Sequence, residues 1–169
     1  MAPHIPDEDF VEFIRQRALW LRRTAYALCQ DWDQADDLAQ IAVTRLYAHW
    51  PRARSFGNLD GYLHRIVVNC FLDETRRPWW RRVISHDAAG LDPVATRELD
   101  LDAALDLRAA LAALPPRQRA TIVLRYYCDL SVEQTAAEMS CSQGAVKSNT
   151  SRALSALRTR LDAREGVGA

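Results

Sequence analysis

Apolar residues recur along this chain at three- and four-residue intervals, the period of amphipathic helices. Asp9 to Cys29 places Phe10, Phe13, Ile14, Leu21, Ala25 and Leu28 among charged residues, which predicts a helix with Arg15, Arg22 and Arg23 toward solvent. Gln30 to Asp33 breaks the pattern with acidic N-cap candidates. Gln34 to Trp50 resumes it through Ala35, Leu38, Ala39, Ala42, Leu46 and Trp50, leaving Asp36, Asp37, Gln40 and Arg45 on the polar side. Pro51 is expected to end that helix, and Arg52 to Asn58 to form a short basic loop carrying Arg54 and one aromatic ring, Phe56. Leu59 to Arg77 then predicts a third helix with Tyr62, Leu63, Ile66, Val67, Cys70 and Phe71 inside and His64, Arg65, Asn69, Asp73, Arg76 and Arg77 outside.

Arg76 to Arg82 gathers four arginines around Trp79 and Trp80, a composition suited to backbone contact with nucleic acid plus stacking, or to a folded-back cap over the core. Val83 to Asp100, with Gly90, Pro93, Asp87, Asp92, Glu98 and Asp100, has the composition of an acidic linker. Leu101 to Leu114 is an Ala/Leu-rich helical stretch stopped by Pro115-Pro116, and Arg117 to Tyr127 is a further helix with Ile122, Val123 and Tyr126 apolar. Ser131 and Gln134 have capping-box spacing, so a helix should begin at Ser131. It packs through Ala136, Ala137 and Met139, and Ser140-Cys141-Ser142 interrupts it. Ser142 is a second N-cap, followed by Val146, Thr150, Ala153, Leu154 and Leu157 on one face and Gln143, Lys147, Ser148, Ser151 and Arg152 on the other. Two helices joined this way predict a helix-turn-helix whose second polar face carries donors of the kinds that reach phosphates and base edges. The expected fold is all-α: two small helical domains, 1–82 and 101–164, joined by the linker 83–100, with a loose tail after Arg164.

Twenty-two basic and 22 acidic residues give a net charge of zero, but they are not mixed evenly. Residues 83–106 hold one Arg against six acidic residues, whereas 117–169 hold eight basic against five, so a neutral chain can still present a positive DNA-facing surface. Cys29, Cys70, Cys128 and Cys141 have no paired or zinc-ligand spacing and read as thiols of a reducing cytoplasm. The polar, acidic start has no signal-peptide pattern, and no apolar run approaches the ~18 residues that would span a bilayer. His4, His49, His64 and His86 are scattered and there is no phosphate-binding glycine loop. The expectation is a non-enzyme with no cofactor and no metal.

The segment LSVEQTAAEMSCSQGAVKSNTSRALSALR closely resembles the promoter-reading helix-turn-helix of bacterial sigma factors of the extracytoplasmic-function group, and most resembles its actinobacterial SigE-like members. Ser140 stands where that family usually has Gly in the turn. ADDLAQIAVTRLYAHW resembles the family helix that docks on the clamp helices of the largest RNA polymerase subunit, which implies core binding through Asp36, Asp37, Gln40 and Arg45. GYLHRIVVNCFLDETRR resembles the helix that captures the melted minus-ten element. With the preceding loop it implies DNA contacts by Arg54, Phe56, Asn58, Arg65, Asn69, Asp73, Arg76 and Arg77. ALAALPPRQRATIVLRYYCDLS is similar to the helices that precede the helix-turn-helix. The resemblance assigns Gln143, Lys147, Ser148, Ser151 and Arg152 to the minus-thirty-five element. It implies the polymerase core, by its clamp helices and the flap of the second-largest subunit, and promoter DNA as partners, with an anti-sigma factor as a further possible one.

Two other functions fit part of the chain. A helix-turn-helix regulator would share the C-terminal half but lack the blocks at 35–82. A decoy that binds polymerase or an anti-sigma factor would keep both halves without initiating transcription.

Overall fold

The computed structural model describes residues 7–77 and 101–166, and every regular element among them is helical. The run 78–82 and the expected linker 83–100 lie outside the described residues. Helices α1 (Glu8–Cys29), α2 (Trp32–Ala53) and α3 (Leu59–Thr75) form one three-helix unit. Helices α4 (Leu101–Ala112), α5 (Pro116–Ile122), a π-helical turn (Val123–Tyr127), α6 (Val132–Glu138) and α7 (Gln143–Glu165) form the other.

Each helix of the first unit starts where a short polar side chain can satisfy an orphan backbone donor. Asp7 accepts from Asp9 N at 2.9 Å, Asp31 from Gln34 N at 2.9 Å and Asn58 from Gly61 N at 2.8 Å, each cap worth about 1 kcal/mol. The stripes these caps set in register bury Leu28, Leu38, Leu46, Leu63, Val67 and Phe71 completely. Such side chains contribute about 1.5–3 kcal/mol apiece.

Local details differ from the pattern. α2 runs through Pro51 to Ala53: the proline stands in the last turn, where it forfeits a single backbone bond, and Trp50 and Ala53 remain buried beyond it. α4 ends at Ala112, ahead of Pro115-Pro116 as expected, and Pro116 itself opens α5, since a first-turn position needs no N–H. Tyr126, expected inside, is 57% exposed. The π turn, in which Cys128 N reaches back five residues to Val123 O at 2.9 Å, rotates the following side chains off the buried stripe. Leu154 is also exposed, because Val146, Ala153 and Leu157 already complete the packed side of α7. On α6, Ala137 faces out, and Thr135 and Glu138 take buried places beside Ala136 and Met139.

The two units share a core. Ala120, Val123, Leu124 and Met139 of the second are buried in the same apolar cluster as α1, α2 and α3. A smaller cluster of Ala110, Leu114, Ile122, Ala153 and Leu157 holds the second unit together. Arginines complete the seam. α1, α4 and α6 have no basic residue in their last turns to answer the carbonyls left free there. Arg119, buried, donates to Leu28 O of α1 at 2.8 Å and to Ala112 O and Leu114 O at the end of α4 at 2.7 and 3.2 Å. Arg108 donates to Gln30 O at 2.7 Å, and Arg65 of α3 to Ala137 O of α6 at 3.2 Å.

Candidate nucleic-acid interface

The helix-turn-helix is built by local hydrogen bonds. Ser131 Oγ accepts from Gln134 N at 3.0 Å while Gln134 Oε1 accepts from Ser131 N at 2.8 Å, completing the expected capping box. At the other end Ser140 adopts φ 50°, with Cys141 N bonded to Ala136 O at 3.0 Å and Ser140 N to Ala137 O at 3.3 Å. This is a Schellman turn, which glycine would enter without strain. Ser142 Oγ then accepts from Ala145 N at 3.1 Å and starts α7. Val146 and Ala153 are fully buried, so Gln143, Lys147, Ser151 and Arg152 are exposed on the far side, with Ser148 half-buried at its edge.

On the first unit, Asp37, Gln40 and Arg45 line a shallow cleft between α2 and α3 with Ile41, Thr44, Glu74 and Arg77. Arg45 spans that cleft to Asp73 at 3.2 Å, and Arg77 lies 3.6 Å from Glu74. Asp36 is not part of it: Arg22 of α1 holds its carboxylate bidentately, at 2.6 and 3.3 Å, and stacks on Trp32. Asp73 and Arg77 thus belong to the same face as the α2 residues.

The loop residues gather elsewhere. His49, Arg52, Phe56, Asn58, Tyr62 and Arg65 line a cleft of about 570 Å3 whose remaining wall is Ala137 and Glu138 of α6. Phe56, 37% exposed, stands edge-on to Tyr62 with ring centroids 5.0 Å apart. His49 was not singled out from the sequence; its i, i+3 spacing to Arg52, the first residue of the expected basic loop, was the available signal. Three expected members do different work. Arg54 is tied to Asp7 at 2.8 Å and Asp9 at 3.0 Å, Asn58 caps α3, and Asn69 is exposed on α3 outside this cleft. Arg76 is exposed at the end of α3. His64, expected outside, is half-buried edge-on against Trp20 at 4.7 Å, and burial lowers its pKa from the ordinary 6.5 while Asp60 opposes the shift.

All four cysteines are free thiols, and burial pushes Cys70 and Cys128 up to about 11, so neither is a ready nucleophile. Among the described residues no group of three His, Cys, Asp or Glu side chains could hold a metal ion. No helix among them is long and apolar enough to cross a membrane.

A helical chain with a capped helix-turn-helix at one end and an arginine- and aromatic-lined cleft on a three-helix unit at the other has the form of a nucleic-acid-binding protein. Residues 13–81 match the family model for sigma-70 region 2, and residues 104–157 that for sigma-70 region 4. The chain is 36% identical to the RNA polymerase sigma-E factor of Streptomyces avermitilis over 93% of its length and 87% of that protein's. It is 36% identical to the sigma-E factor of Streptomyces coelicolor, over 93% and 88%. Among solved structures, the sigma factor RpoE of Bartonella quintana in complex with the anti-sigma factor NepR superposes with a TM-score of 0.74 at 28% identity, over 92% of this chain and 98% of that one. The chain belongs to the extracytoplasmic-function sigma factors of the sigma-70 family. It is a transcription-initiation factor whose partners are RNA polymerase core and promoter DNA.

Proposed function

We propose that the chain reads the minus-thirty-five element with α7, captures the minus-ten strand at the α3 face and its preceding loop, and docks on the polymerase clamp through Asp37, Gln40 and Arg45. The observation that carries this is the exposed stripe of Gln143, Lys147, Ser151 and Arg152 opposite the buried Val146 and Ala153 on the second helix of a helix-turn-helix whose two helix starts are capped. That geometry presents side chains to a major groove from a rigid support. Phe56 and Tyr62 supply rings for an unstacked base, and Arg52 and Arg65 supply phosphate partners. The domains are 1–82 and 101–164, with 83–100 joining them, and the flap of the second-largest subunit is the partner of the C-terminal one. Catalysis is left to the polymerase, and the chain acts in the cytoplasm beside it. Arg152 contacts a base and Lys147 a phosphate, because a guanidinium presents a fork and an ammonium a point charge.

Run-off transcription with core polymerase tests the reading, on a promoter that the holoenzyme selects from its host genome. Arg152→Ala should cost about 1–3 kcal/mol at one base position. Lys147→Ala should weaken all sequences alike and lower the salt slope by about one. Transcription unaltered in both variants would remove α7 from the promoter.

A further inference from the structure

The cleft assigned above to the minus-ten strand has α6 of the helix-turn-helix as one of its walls, so the C-terminal unit narrows it on that side. Arg65 donates to Ala137 O at 3.2 Å and its Nε lies 3.8 Å from Glu138 Oε2. Glu138 is only 7% exposed, and Oε2 takes no hydrogen bond among the described residues. Its other oxygen reaches the first turn of α3. A Cβ on Gly61 would come within 2.7 Å of Glu138 Oε1 and 2.5 Å of Asn58 Nδ2, so a side chain there would have to displace the ends of both. That spot is the positive end of the α3 dipole, beside a cationic side chain, where an anion is favoured. A buried carboxylate belongs there electrostatically even though burial raises the Glu138 pKa from its ordinary value against the pull of Arg65.

We propose that Glu138 is an intramolecular plug: α6 seats its carboxylate between Arg65 and the start of α3, in the place of a strand phosphate, so the minus-ten face opens only when the two units part. The inference rests on the minus-ten reading of that face. The rest of the seam supports it. Arg108 and Arg119 hold the C-terminal unit against the end of α1, which keeps α6 in register over Arg65. A chain closed in this way has little affinity for single-stranded DNA by itself, and any partner that separates the units uncovers the strand site.

The experiment measures fluorescence anisotropy of a labelled single-stranded DNA of about 15 nucleotides and degenerate sequence, long enough to cover one such site. It is titrated with the full chain as wild type, Glu138→Ala and Glu138→Gln, each checked for native helicity. Glu133→Ala removes an exposed carboxylate from the same helix and controls for net charge. Both Glu138 variants should bind on the order of tenfold more tightly than wild type, as the open fraction rises. Glu133→Ala should not, and adding Phe56→Ala to Glu138→Ala should abolish the gain. Should Glu138→Ala fail to fold, the isosteric Glu138→Gln carries the same comparison. Equal binding by wild type and the Glu138 variants overturns the plug, as does an equal gain from Glu133→Ala. Permanganate footprinting of the holoenzyme separates the two ideas. If melting there depends on Phe56 while Glu138 has no effect on free-chain binding, the minus-ten reading stands and the plug falls. If melting is indifferent to Phe56, both fall.

Discussion

Replacing Arg119 by Met should unsettle both halves of the molecule at once. The guanidinium donates to three carbonyls that no other side chain serves among the described residues, Leu28 O in one unit and Ala112 O and Leu114 O in the other. Each charge-assisted bond is worth about 1.5–3 kcal/mol, and a buried carbonyl left without a partner costs about 1–3 kcal/mol. Met refills most of the apolar volume and the seam admits some water, so the net loss should settle at about 3–5 kcal/mol, the order expected for three carbonyls left partly without partners. For a chain of this size each kcal/mol moves the melting temperature by about 2–4 °C, giving a fall of roughly 6–20 °C. The assay uses the placement of the five tryptophans, 20, 32, 50, 79 and 80, all in the first half of the chain. Tryptophan fluorescence reports that half alone, while far-ultraviolet circular dichroism reports the helices of both. The two thermal transitions should move down together in Arg119→Met. Arg119→Lys, which keeps the charge but loses the fork, should fall between it and wild type. A loss under about 1 kcal/mol would mean the carbonyls rehydrate freely. A shifted dichroism transition with an unmoved fluorescence transition would mean Arg119 supports only the C-terminal unit.

Two further outcomes follow from single residues. Ser140→Gly should raise stability by about 1 kcal/mol in urea denaturation, since φ 50° strains any side chain with a Cβ; a loss would show that Ser140 does something other than close the turn. His64 has a folded pKa below its unfolded 6.5 because it is buried against Trp20. The unfolded chain therefore takes up the proton more readily, and the stability contributed above pH 6.5 is lost as pH falls below it. Wild type should lose more stability than His64→Gln between neutral pH and the mildly acidic range in chemical denaturation, and parallel curves would place the pH dependence in other groups.

Helix type, helix order and the helix-turn-helix were legible in the sequence because each depends on neighbours within about four positions. Three- and four-residue apolar spacing, the caps at Asp31, Ser131 and Ser142, and the interrupted turn at Ser140 are all local arrangements, satisfied in the structure by bonds between residues at most five apart. The exposed stripe on α7 follows from the same periodicity. Tertiary structure decided which polar residues remain available. Asp36 and Arg54 look like surface groups in the pattern, yet Arg22 and the pair Asp7 and Asp9 claim them across 14 to 47 positions. The π turn at Val123–Tyr127 turned Tyr126 outward through a register change that apolar spacing does not encode. Above all, the pattern gave two helical halves and no sign that they dock. Two helix ends lacking a basic residue of their own, those of α1 and α6, are answered across 72 to 91 positions by Arg65, Arg108 and Arg119, and the buried Glu138 meets Arg65 across 73 positions, counted from 65 to 138. Charge pairing between remote segments depends on where the folded backbone brings them, and no periodicity within either segment records that placement.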